Sequence, residues 1–427
     1  MKIVAIGVGS ASFGRGVVAD VLREAHRLPE LELALVDTDP DALARMMAFA
    51  EKLKAHLTAP VRLSATTDRV EALPGAEYII TSVARHRMAL WEQDYRVPMA
   101  HGVRHILGEN GGPGAVFHAL RSYELIVPIC RDVERLCPEA LLLNFTNPEA
   151  RVLHAILRLT RLRAVGLCHG VFSLERLVCD ITGIPAEHLV LTSAGMNHAY
   201  CALSILDKRT GEERLPEVLK RVQEDESLTV PPLFREFARI FDVVTFPSDD
   251  HIGEYFSFGA EFHDSKWPYG QESRQVGSAP PPVNLVEAFL RGDLPIEQAM
   301  VPSGESAVGL IRALQEAKPA RFSAVNVGND GPLIDNLPED AVVEVPAMVD
   351  GEGIKPIAVG PIPEVFAVAL RTQCAIISTV TEAYRTRSKK LLLQALLLDP
   401  CVNGIGQARG ILDDMLRLQA AYLPTFE

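Results

Sequence analysis

Three short clusters of polar residues could do chemistry, and each follows an apolar run that predicts a buried strand. The clusters are Asn144 to Pro148, Gly166 to Gly170, and Gly195 to His198. Cys168 could bind a metal ion as a thiolate and His198 as a neutral imidazole. Because ligands bind beyond the carboxyl ends of strands in open α/β sheets, we expect the two side chains to meet there. The alternative is a small buried cysteine beside a hydrogen-bonded histidine.

A metal held by these two residues would suit catalysis better than a structural role. Structural zinc sites use four ligands and usually show closely paired cysteines, whereas this chain has no CxxC pair. Two protein ligands would leave open positions for substrate oxygens. Asn147 and Asn197 are candidates to hold substrate hydroxyl groups with their amides, or else they form turns at the strand ends.

A possible nucleotide site lies at the N-terminus, where a strand over Ile3 to Ile6 enters a glycine turn. Gly7 allows the tight turn, and Gly9 allows the backbone to approach a pyrophosphate at the next helix N-terminus. Ser12 stands where a third glycine is common. An acid at the end of the second strand would accept a ribose hydroxyl and favour NAD over NADP. The cofactor-binding candidates are Gly7, Gly9, Ser10, Phe13, Asp37 and Asn144. The alternative is an ordinary βαβ turn, in which the acid caps a helix.

Apolar runs and amphipathic segments alternate through the first half of the chain. Strands are predicted over Lys2–Val8, Leu31–Val36, Val61–Ala65, Glu77–Ser82 and Ala140–Leu143, and helices over Gly14–His26, Pro40–His56, Gly114–Leu136 and Pro148–Leu159. This alternation predicts βαβ units and a parallel sheet. Residues 246–283 are rich in proline, glycine, serine and aromatic residues, which predicts a long functional loop. From Pro363 the chain is predicted to be helical nearly to its end.

Composition and charge narrow the classes of function. The 427 residues are too many for a single core, so two lobes are expected. The net charge of −13 argues against nucleic acid as a partner. No apolar run reaches the roughly 20 residues of a membrane helix, and the N-terminus lacks a signal sequence. Seven cysteines without a paired spacing predict a reducing cytoplasm rather than a disulfide framework.

Further motifs complete a pattern that covers nearly the whole chain. They are Gly108-Glu109-Asn110-Gly111-Gly112-Pro113-Gly114, Asn336-Leu337-Pro338, Val342-Val343-Glu344-Val345-Pro346 and Val359-Gly360-Pro361-Ile362-Pro363. Together with the glycine turn and the three polar clusters, they resemble the NAD- and manganese-dependent glycosidases of glycoside hydrolase family 4, an exception to the two-carboxylate mechanism. The resemblance implies an α/β fold. Residues 1–195 would form a Rossmann-type parallel-sheet domain like that of lactate and malate dehydrogenases, and residues 196–427 an α+β domain for substrate binding and oligomerisation.

The resemblance also assigns roles to single residues. Cys168 and His198 match the family's metal ligands, Asn147 its substrate-binding asparagine, and Glu109 an acidic position that tunes the base. His169 occupies the place where phosphosugar-specific members carry an aspartate general acid or an asparagine. It is the candidate to protonate the leaving group, or else it supports the metal ligands or is a third ligand itself. The base in the family's phosphoglucosidases is a tyrosine, and this chain departs from that pattern, which leaves Asp250, His251 and Tyr255 as candidates. A Cys-His-Gly start at position 168 resembles the α-glucuronidases, which act on unphosphorylated substrates.

The implied reaction begins with oxidation at C3 of the sugar. Elimination across C1 and C2, addition of water and reduction at C3 follow. Arg85, Arg87 and Lys266 could bind a uronate carboxylate or be solvated surface charges, and Arg87 is taken as the candidate, since arginine binds carboxylates in a bidentate manner. The expected partner is a small-molecule glycoside, and the expected assembly is a homodimer or homotetramer. The alternatives are a family member acting on α-galacturonides, α-glucosides or α-galactosides, a 2-hydroxy-acid dehydrogenase that needs no metal, and an NAD-binding sensor or scaffold without turnover.

Overall fold

The computed structural model describes residues 1–10, 13–264, 266–267, 284–316 and 318–427. Its strands are β1 (Lys2–Ile6), β2 (Leu31–Val36), β3 (Val61–Thr66), β4 (Tyr78–Thr81), β5 (Leu141–Asn144), β6 (Arg163–Gly166), β7 (Leu189–Met196), β8 (Ala199–Asp207), β9 (Glu212–Glu213), β10 (Ala320–Gly328), β11 (Val342–Asp350) and β12 (Gly353–Pro356). Its helices are α1 (Phe13–Glu24), α2 (Pro40–Leu57), α3 (Arg69–Ala72), α4 (Arg87–Ala100), α5 (Gly114–Leu136), α6 (Glu149–Leu159), α7 (Gly170–Thr182), α8 (Leu215–Glu224), α9 (Pro232–Phe241), α10 (Asp249–Ile252), α11 (Leu285–Arg291), α12 (Ile296–Ala299), α13 (Ala307–Gln315), α14 (Glu364–Thr386), α15 (Lys389–Leu398) and α16 (Ile405–Leu418).

The described strands form one sheet, in the order β3-β2-β1-β4-β5-β6-β10-β11-β7-β8-β9, with β12 paired to β11. The first six are parallel, and their order is that of a Rossmann nucleotide-binding sheet. From β10 onward the neighbours are antiparallel. The predicted α/β class, with a parallel Rossmann sheet and a second C-terminal part, is therefore confirmed.

The parallel half of the sheet is buried on both faces, as its apolar strands require. Ile3 and Ala5 of β1 point into one core, which α1, α2 and α13 cover. Val4 and Ile6 point into the opposite core, which α5 and the C-terminal helices α14, α15 and α16 cover. This arrangement leaves the carboxyl ends of the parallel strands as the open edge, where a site can form.

Two long predicted segments have different outcomes. The helical C-terminus predicted from Pro363 is confirmed by α14, α15 and α16. The predicted loop over 246–283 contains α10 and two short 3-10 helices, Gly253–Tyr255 and Gly259–Phe262, whereas residues 265 and 268–283 lie outside the described residues. Among the described helices, α14 alone is long and apolar enough to cross a membrane. Half of that stretch is buried against other helices of the protein, as in a core helix.

Candidate active site

Strand register brings the predicted metal ligands to one place. Across the neighbouring strands β6, β10, β11 and β7, Gly166 pairs with Asn326, which pairs with Glu344, which pairs with Gly195. Two of the predicted polar clusters begin at the ends of this row, Cys168 just beyond Gly166 and His198 just beyond Gly195. His198 is in the tight turn between β7 and β8, and its φ of 63° is rarely adopted by a residue with a side chain.

Cys168 and His198 lie close enough to share a metal ion. The distance between Cys168 Sγ and His198 Nε2 is 3.3 Å. Metal–sulfur and metal–nitrogen bonds of about 2.3 and about 2.0 Å hold two ligand atoms roughly 3.1–3.6 Å apart, so the pair fits one ion. Burial, reinforced by the nearby Glu344 carboxylate, raises the pKa of the Cys168 thiol. Burial also lowers the pKa of His198 well below its usual value, which favours the neutral imidazole that a metal needs.

The described residues supply no larger metal cluster. No group of three or more histidine, cysteine, aspartate or glutamate side chains with metal-binding geometry occurs among them. A cation on Cys168 and His198 would thus keep several positions open, as catalytic sites do. The second ring nitrogen of His198 lies 3.2 Å from Asn110 Nδ2, so the Asn110 amide holds the imidazole in place.

A hydrogen-bonded group of polar side chains surrounds Glu109 beside this pair. The Glu109 carboxylate accepts from Arg87 at 3.1 Å, from Asn147 at 3.3 Å and from Asn110 at 3.4 Å. Glu109 is 3% exposed, whereas the Arg87 side chain is 49% exposed, so Arg87 retains N–H groups for a ligand. Behind them, the Glu254 carboxyl accepts the backbone N–H groups of Glu109 and Asn110 at 2.7 and 3.0 Å. Burial raises the pKa of Glu254 to about 8.

Two further histidines lie close to Cys168 and His198, and each is hydrogen-bonded to an acid. His169 Nδ1 lies 2.8 Å from Glu305 Oε1, and this hydrogen bond raises the pKa of His169. His251 Nδ1 lies 2.8 Å from Asp250 Oδ1. Although burial opposes the charged ring, the hydrogen bond to Asp250 raises the pKa of His251. The His251 ring packs against the His198 ring at 4.6 Å between centroids.

A cavity of about 610 Å³ brings these groups together, a size typical of small-molecule sites. Eight residues predicted from the sequence line it: Phe13, Arg87, Glu109, Asn147, Cys168, His169, His198 and His251. Asp250 does not line the cavity and reaches it through its hydrogen bond to His251. The convergence of a soft donor pair, carboxylates, an amide and imidazoles in one concave site gives the arrangement the means for acid–base chemistry on a bound ligand.

The glycine turn has the close approaches of a nucleotide-binding loop. Gly7 has a φ of 91°, and a Cβ there would lie 2.1 Å from the Ser82 carbonyl oxygen. Gly9 donates its backbone N–H to Asp37 Oδ2 at 2.7 Å, which holds the carboxylate beside the turn. Ser10 ends the turn, and its hydroxyl accepts the N–H of Phe13 at 3.3 Å, at the start of α1. A pyrophosphate could therefore approach bare backbone here.

The third glycine of the fingerprint is displaced along the chain rather than missing. A Cβ on Gly14 would lie 1.9 Å from the Val8 carbonyl oxygen, so α1 packs directly on the turn. Close packing between helix and strand is the role of the third glycine in dinucleotide-binding sheets. The spacing is longer than the usual pattern, and for this reason the sequence comparison at Ser12 missed it.

Three of the predicted site residues that do not line the cavity are buried side chains with hydrogen bonds inside the protein. Asn144 is fully buried, and its amide binds Thr146 within the loop after β5. Asn197 is 1% exposed, and its amide donates to Glu344 at 3.0 Å. The Tyr255 hydroxyl donates to the Asn197 carbonyl at 2.8 Å. In this structure the three side chains bind protein groups, and a direct role for any of them in binding or catalysis remains a prediction.

Sequence reasoning missed several residues that shape the site. Glu305 orients His169 across 136 positions of sequence, and no local pattern indicates such a pairing. Asn110 was visible as part of a motif, but its contact with His198 depends on tertiary structure. Glu344 was also within a motif, but a glutamate in an apolar strand would be expected to face solvent, and its burial depends on tertiary structure. Burial raises the pKa of Glu344 to about 7. Its carboxyl accepts a hydrogen bond from Asn197, the residue before the predicted metal ligand His198.

Comparisons with known proteins give the class. A model of the family 4 glycosyl hydrolases matches residues 2–184, and a model of the C-terminal domain of the same family matches residues 193–402. The chain therefore belongs to the family 4 glycosyl hydrolases, enzymes that act on glycosyl bonds.

Particular relatives match end to end. The chain is 30% identical to an α-glucosidase of Erwinia rhapontici, over 99% of this chain and 98% of the relative. It is 29% identical to an α-galactosidase of Bacillus subtilis, over the whole of both chains. A 6-phospho-α-glucosidase from gut microorganisms, solved in complex with NAD and Mn²⁺, matches with a TM-score of 0.83 and 22% identity, over 100% of this chain and 99% of that one. At that identity the structural likeness shows the fold.

Proposed function

We propose that this protein is an NAD- and Mn²⁺-dependent glycosidase that hydrolyses an unphosphorylated α-glycoside, with an α-glucuronide as the favoured substrate. The observation that carries the proposal is the 3.3 Å approach of Cys168 Sγ and His198 Nε2 inside a polar cavity beside a dinucleotide-type glycine turn. The structure solved for the 6-phospho-α-glucosidase holds the same two cofactors. A plain 2-hydroxy-acid dehydrogenase would have no use for this donor pair.

The residues of this chain divide the work between binding cofactors and handling protons. Gly7, Gly9 and Asp37 would hold NAD⁺, and Cys168 and His198 would hold Mn²⁺. When bound, the two cofactors supply reversible hydride transfer and Lewis-acid polarisation of sugar oxygens.

Proton transfer falls to the two histidines that line the cavity. We assign acceptance of the C2 proton to His251, because its hydrogen bond to Asp250 stabilises the charged ring that this transfer creates. We assign protonation of the leaving group to His169, because its hydrogen bond to Glu305 favours the charged ring that donates the proton. We assign the binding of a sugar hydroxyl to Asn147, which lines the cavity and whose amide is oriented by its hydrogen bond to Glu109.

The preference for a uronate is supported by Arg87. Its guanidinium lines the cavity and donates one N–H group to Glu109. The side chain remains 49% exposed, so its other N–H groups can bind a carboxylate. The Cys-His-Gly start at Cys168 supports the same preference through the family resemblance. The relatives named α-glucosidase and α-galactosidase make neutral hexosides the competing substrates.

A panel of p-nitrophenyl glycosides tests the proposal. The α-glucuronide, α-galacturonide, α-glucoside, α-galactoside and 6-phospho-α-glucoside would be compared with NAD⁺, Mn²⁺ and a reductant, and again without each cofactor. We expect the highest kcat/KM for the α-glucuronide, and no turnover without either cofactor. A higher kcat/KM for a neutral or phosphorylated glycoside would overturn the substrate assignment, and turnover without cofactors would overturn the mechanism.

We also propose that the protein works in the cytoplasm as a homodimer or homotetramer. None of its seven cysteines forms a disulfide, which suits a reducing compartment. The C-terminal helices expose large apolar side chains that a second copy could cover: Val365, Val368, Leu397, Leu398, Ile405 and Leu418. Light scattering after size-exclusion chromatography would give the mass, and a monomer would contradict the proposed assembly.

A further inference from the structure

A second cavity, of about 600 Å³, adjoins the candidate active site. The two cavities share four wall residues: His169, Ser173, Ser303 and Glu305. Cys168, His198 and Asn147 line the first cavity and not the second. His169 therefore lies at the junction, between the Cys168–His198 pair of the first cavity and the second cavity.

Two walls of the second cavity follow the spacing of a helix face. On α7 and the residue before it, His169, Phe172, Ser173 and Arg176 recur at i, i+3, i+4 and i+7. On and just before α13, Glu305, Val308, Gly309 and Arg312 repeat the same spacing. Seven residues of helix span about 10 Å, so the cavity is a groove that leads from the His169–Glu305 pair to two arginines.

The groove is lined by the acids Asp20 and Glu24 as well as by arginines, and one of its guanidinium groups has no acidic partner among the described residues. Arg312 is neutralised by Glu24 at 3.0 Å and by Glu316 at 3.6 Å. Arg176 is exposed and forms no ion pair with any carboxylate of the described residues. Phe172, half-buried one helical turn nearer to His169, gives the wall an apolar surface between the junction and this charge.

We propose that the groove binds the leaving group of the substrate and selects one that carries a carboxylate, which Arg176 would bind. The proposal rests on the proposed glycosidase function. A general acid must touch the oxygen that joins the sugar to the leaving group. With the sugar at Cys168 and Asn147, His169 lies between that sugar and the groove. A leaving group passing His169 therefore enters the groove, and an acidic sugar unit of suitable length reaches Arg176.

Two disaccharides with the same α-linked non-reducing sugar test the inference. One would have glucose and the other glucuronate at the reducing end, and the non-reducing sugar would be the one that the p-nitrophenyl panel identifies. We expect a lower KM for the acidic disaccharide in the wild type. Arg176→Ala should raise that KM about fivefold, as expected for loss of an exposed ion pair. It should leave kcat/KM for the p-nitrophenyl glycoside unchanged, and Arg176→Lys should restore part of the loss.

Arg409→Ala is the matched control, because Arg409 is also an exposed helical arginine and lies outside both cavities. It should change neither disaccharide's KM. Equal KM values for the two disaccharides in the wild type would overturn the inference while leaving the glycosidase function intact, and so would an Arg176→Ala loss that is the same for the p-nitrophenyl substrate. A protein that cleaves no glycoside in the panel would overturn the proposed function and this inference together.

Discussion

Cys168 and His198 show how far single residues could be assigned from sequence. Their types predicted a soft donor pair, and the 3.3 Å separation agrees with that prediction. Asn144, Asn197 and Tyr255 have side chains of equally suitable chemistry, yet they lie beneath the cavity wall. Residue type predicts what a side chain can bind, whereas burial decides whether a ligand can reach it. The burial of these three residues depends on packing that no local pattern reports.

Gly7 gives the first test at the scale of a residue. Gly7→Ala places a methyl group against the Ser82 carbonyl oxygen at a positive φ, so we expect a loss of about 1–3 kcal/mol in unfolding free energy. NAD⁺ affinity should also fall by at least about tenfold, because the loop must shift away from its close approach. Calorimetric titration with NAD⁺ and denaturant unfolding would measure both.

Gly75→Ala is the control for backbone strain alone. Gly75 also has a positive φ, of 76°, but a Cβ there would meet nothing within 4 Å. It should lose only about 1–2 kcal/mol from the positive φ, less than Gly7→Ala, and NAD⁺ affinity should not change. If Gly7→Ala bound NAD⁺ as tightly as Gly75→Ala does, the nucleotide turn would be assigned wrongly.

At the scale of elements, the predictions succeeded where an apolar pattern was strong. The parallel strands and helices α1, α2, α5 and α6 appear within a few residues of their predicted bounds. Helices α4 and α7 were not predicted. In α4 the buried side chains Leu90, Trp91, Asp94, Tyr95 and Pro98 include a charged residue and a proline, so its sequence shows no clean apolar stripe. The start of α7 follows directly on the Cys-His-Gly cluster, which drew attention to ligand chemistry instead.

The buried ion pair between α4 and α5 gives a test at this scale. Asp94 is fully buried and accepts from Arg121 at 2.5 and 2.8 Å, and Gln419 completes the contact. Asp94→Asn should lower the unfolding free energy by about 3–5 kcal/mol, because the Arg121 charge stays buried without its partner. Asp132→Asn, which breaks a more exposed pair with Arg69, should cost no more than about 1 kcal/mol. Equal losses in urea unfolding would contradict this assignment.

His154 links α6 to α14 and predicts a pH dependence. Its Nδ1 lies 2.9 Å from Thr381 Oγ1, and burial lowers its pKa from 6.5 to about 4. Between these two pH values His154 binds a proton in the unfolded chain but not in the folded one. The free energy of unfolding therefore falls as the pH is lowered. His154→Gln removes this loss.

Denaturant unfolding at a series of pH values would test that dependence. Relative to wild type, His154→Gln should gain up to about 1.4 kcal/mol per pH unit on acidification from 6.5 to 4. Above pH 6.5 the difference between the two proteins should be constant. A difference that stays constant at all pH values would show that His154 titrates alike in the folded and unfolded chains.

For the whole molecule, the sequence predicted the class of fold but not the continuity of its sheet. The antiparallel strands β10, β11 and β7 extend the Rossmann sheet through β6 instead of forming a separate layer. The single pairs Gly166–Asn326 and Gly195–Glu344, which join β6 to β10 and β7 to β11, involve residues far apart in sequence. Such long-range register carries no local signal. The predicted division into residues 1–195 and 196–427 remains a prediction.

The same strand pairs bring Cys168 next to His198, and the proposed function depends on that contact. A calorimetric titration of the apoprotein with Mn²⁺ measures whether the two side chains bind one ion. The wild type would be compared with Cys168→Ser and with Cys201→Ser, whose buried thiol lies away from the cavity. We predict one bound ion in the wild type and in Cys201→Ser, with binding weakened by at least about tenfold in Cys168→Ser, because one of the two protein ligands is lost. Equal Mn²⁺ affinity in all three proteins would contradict it.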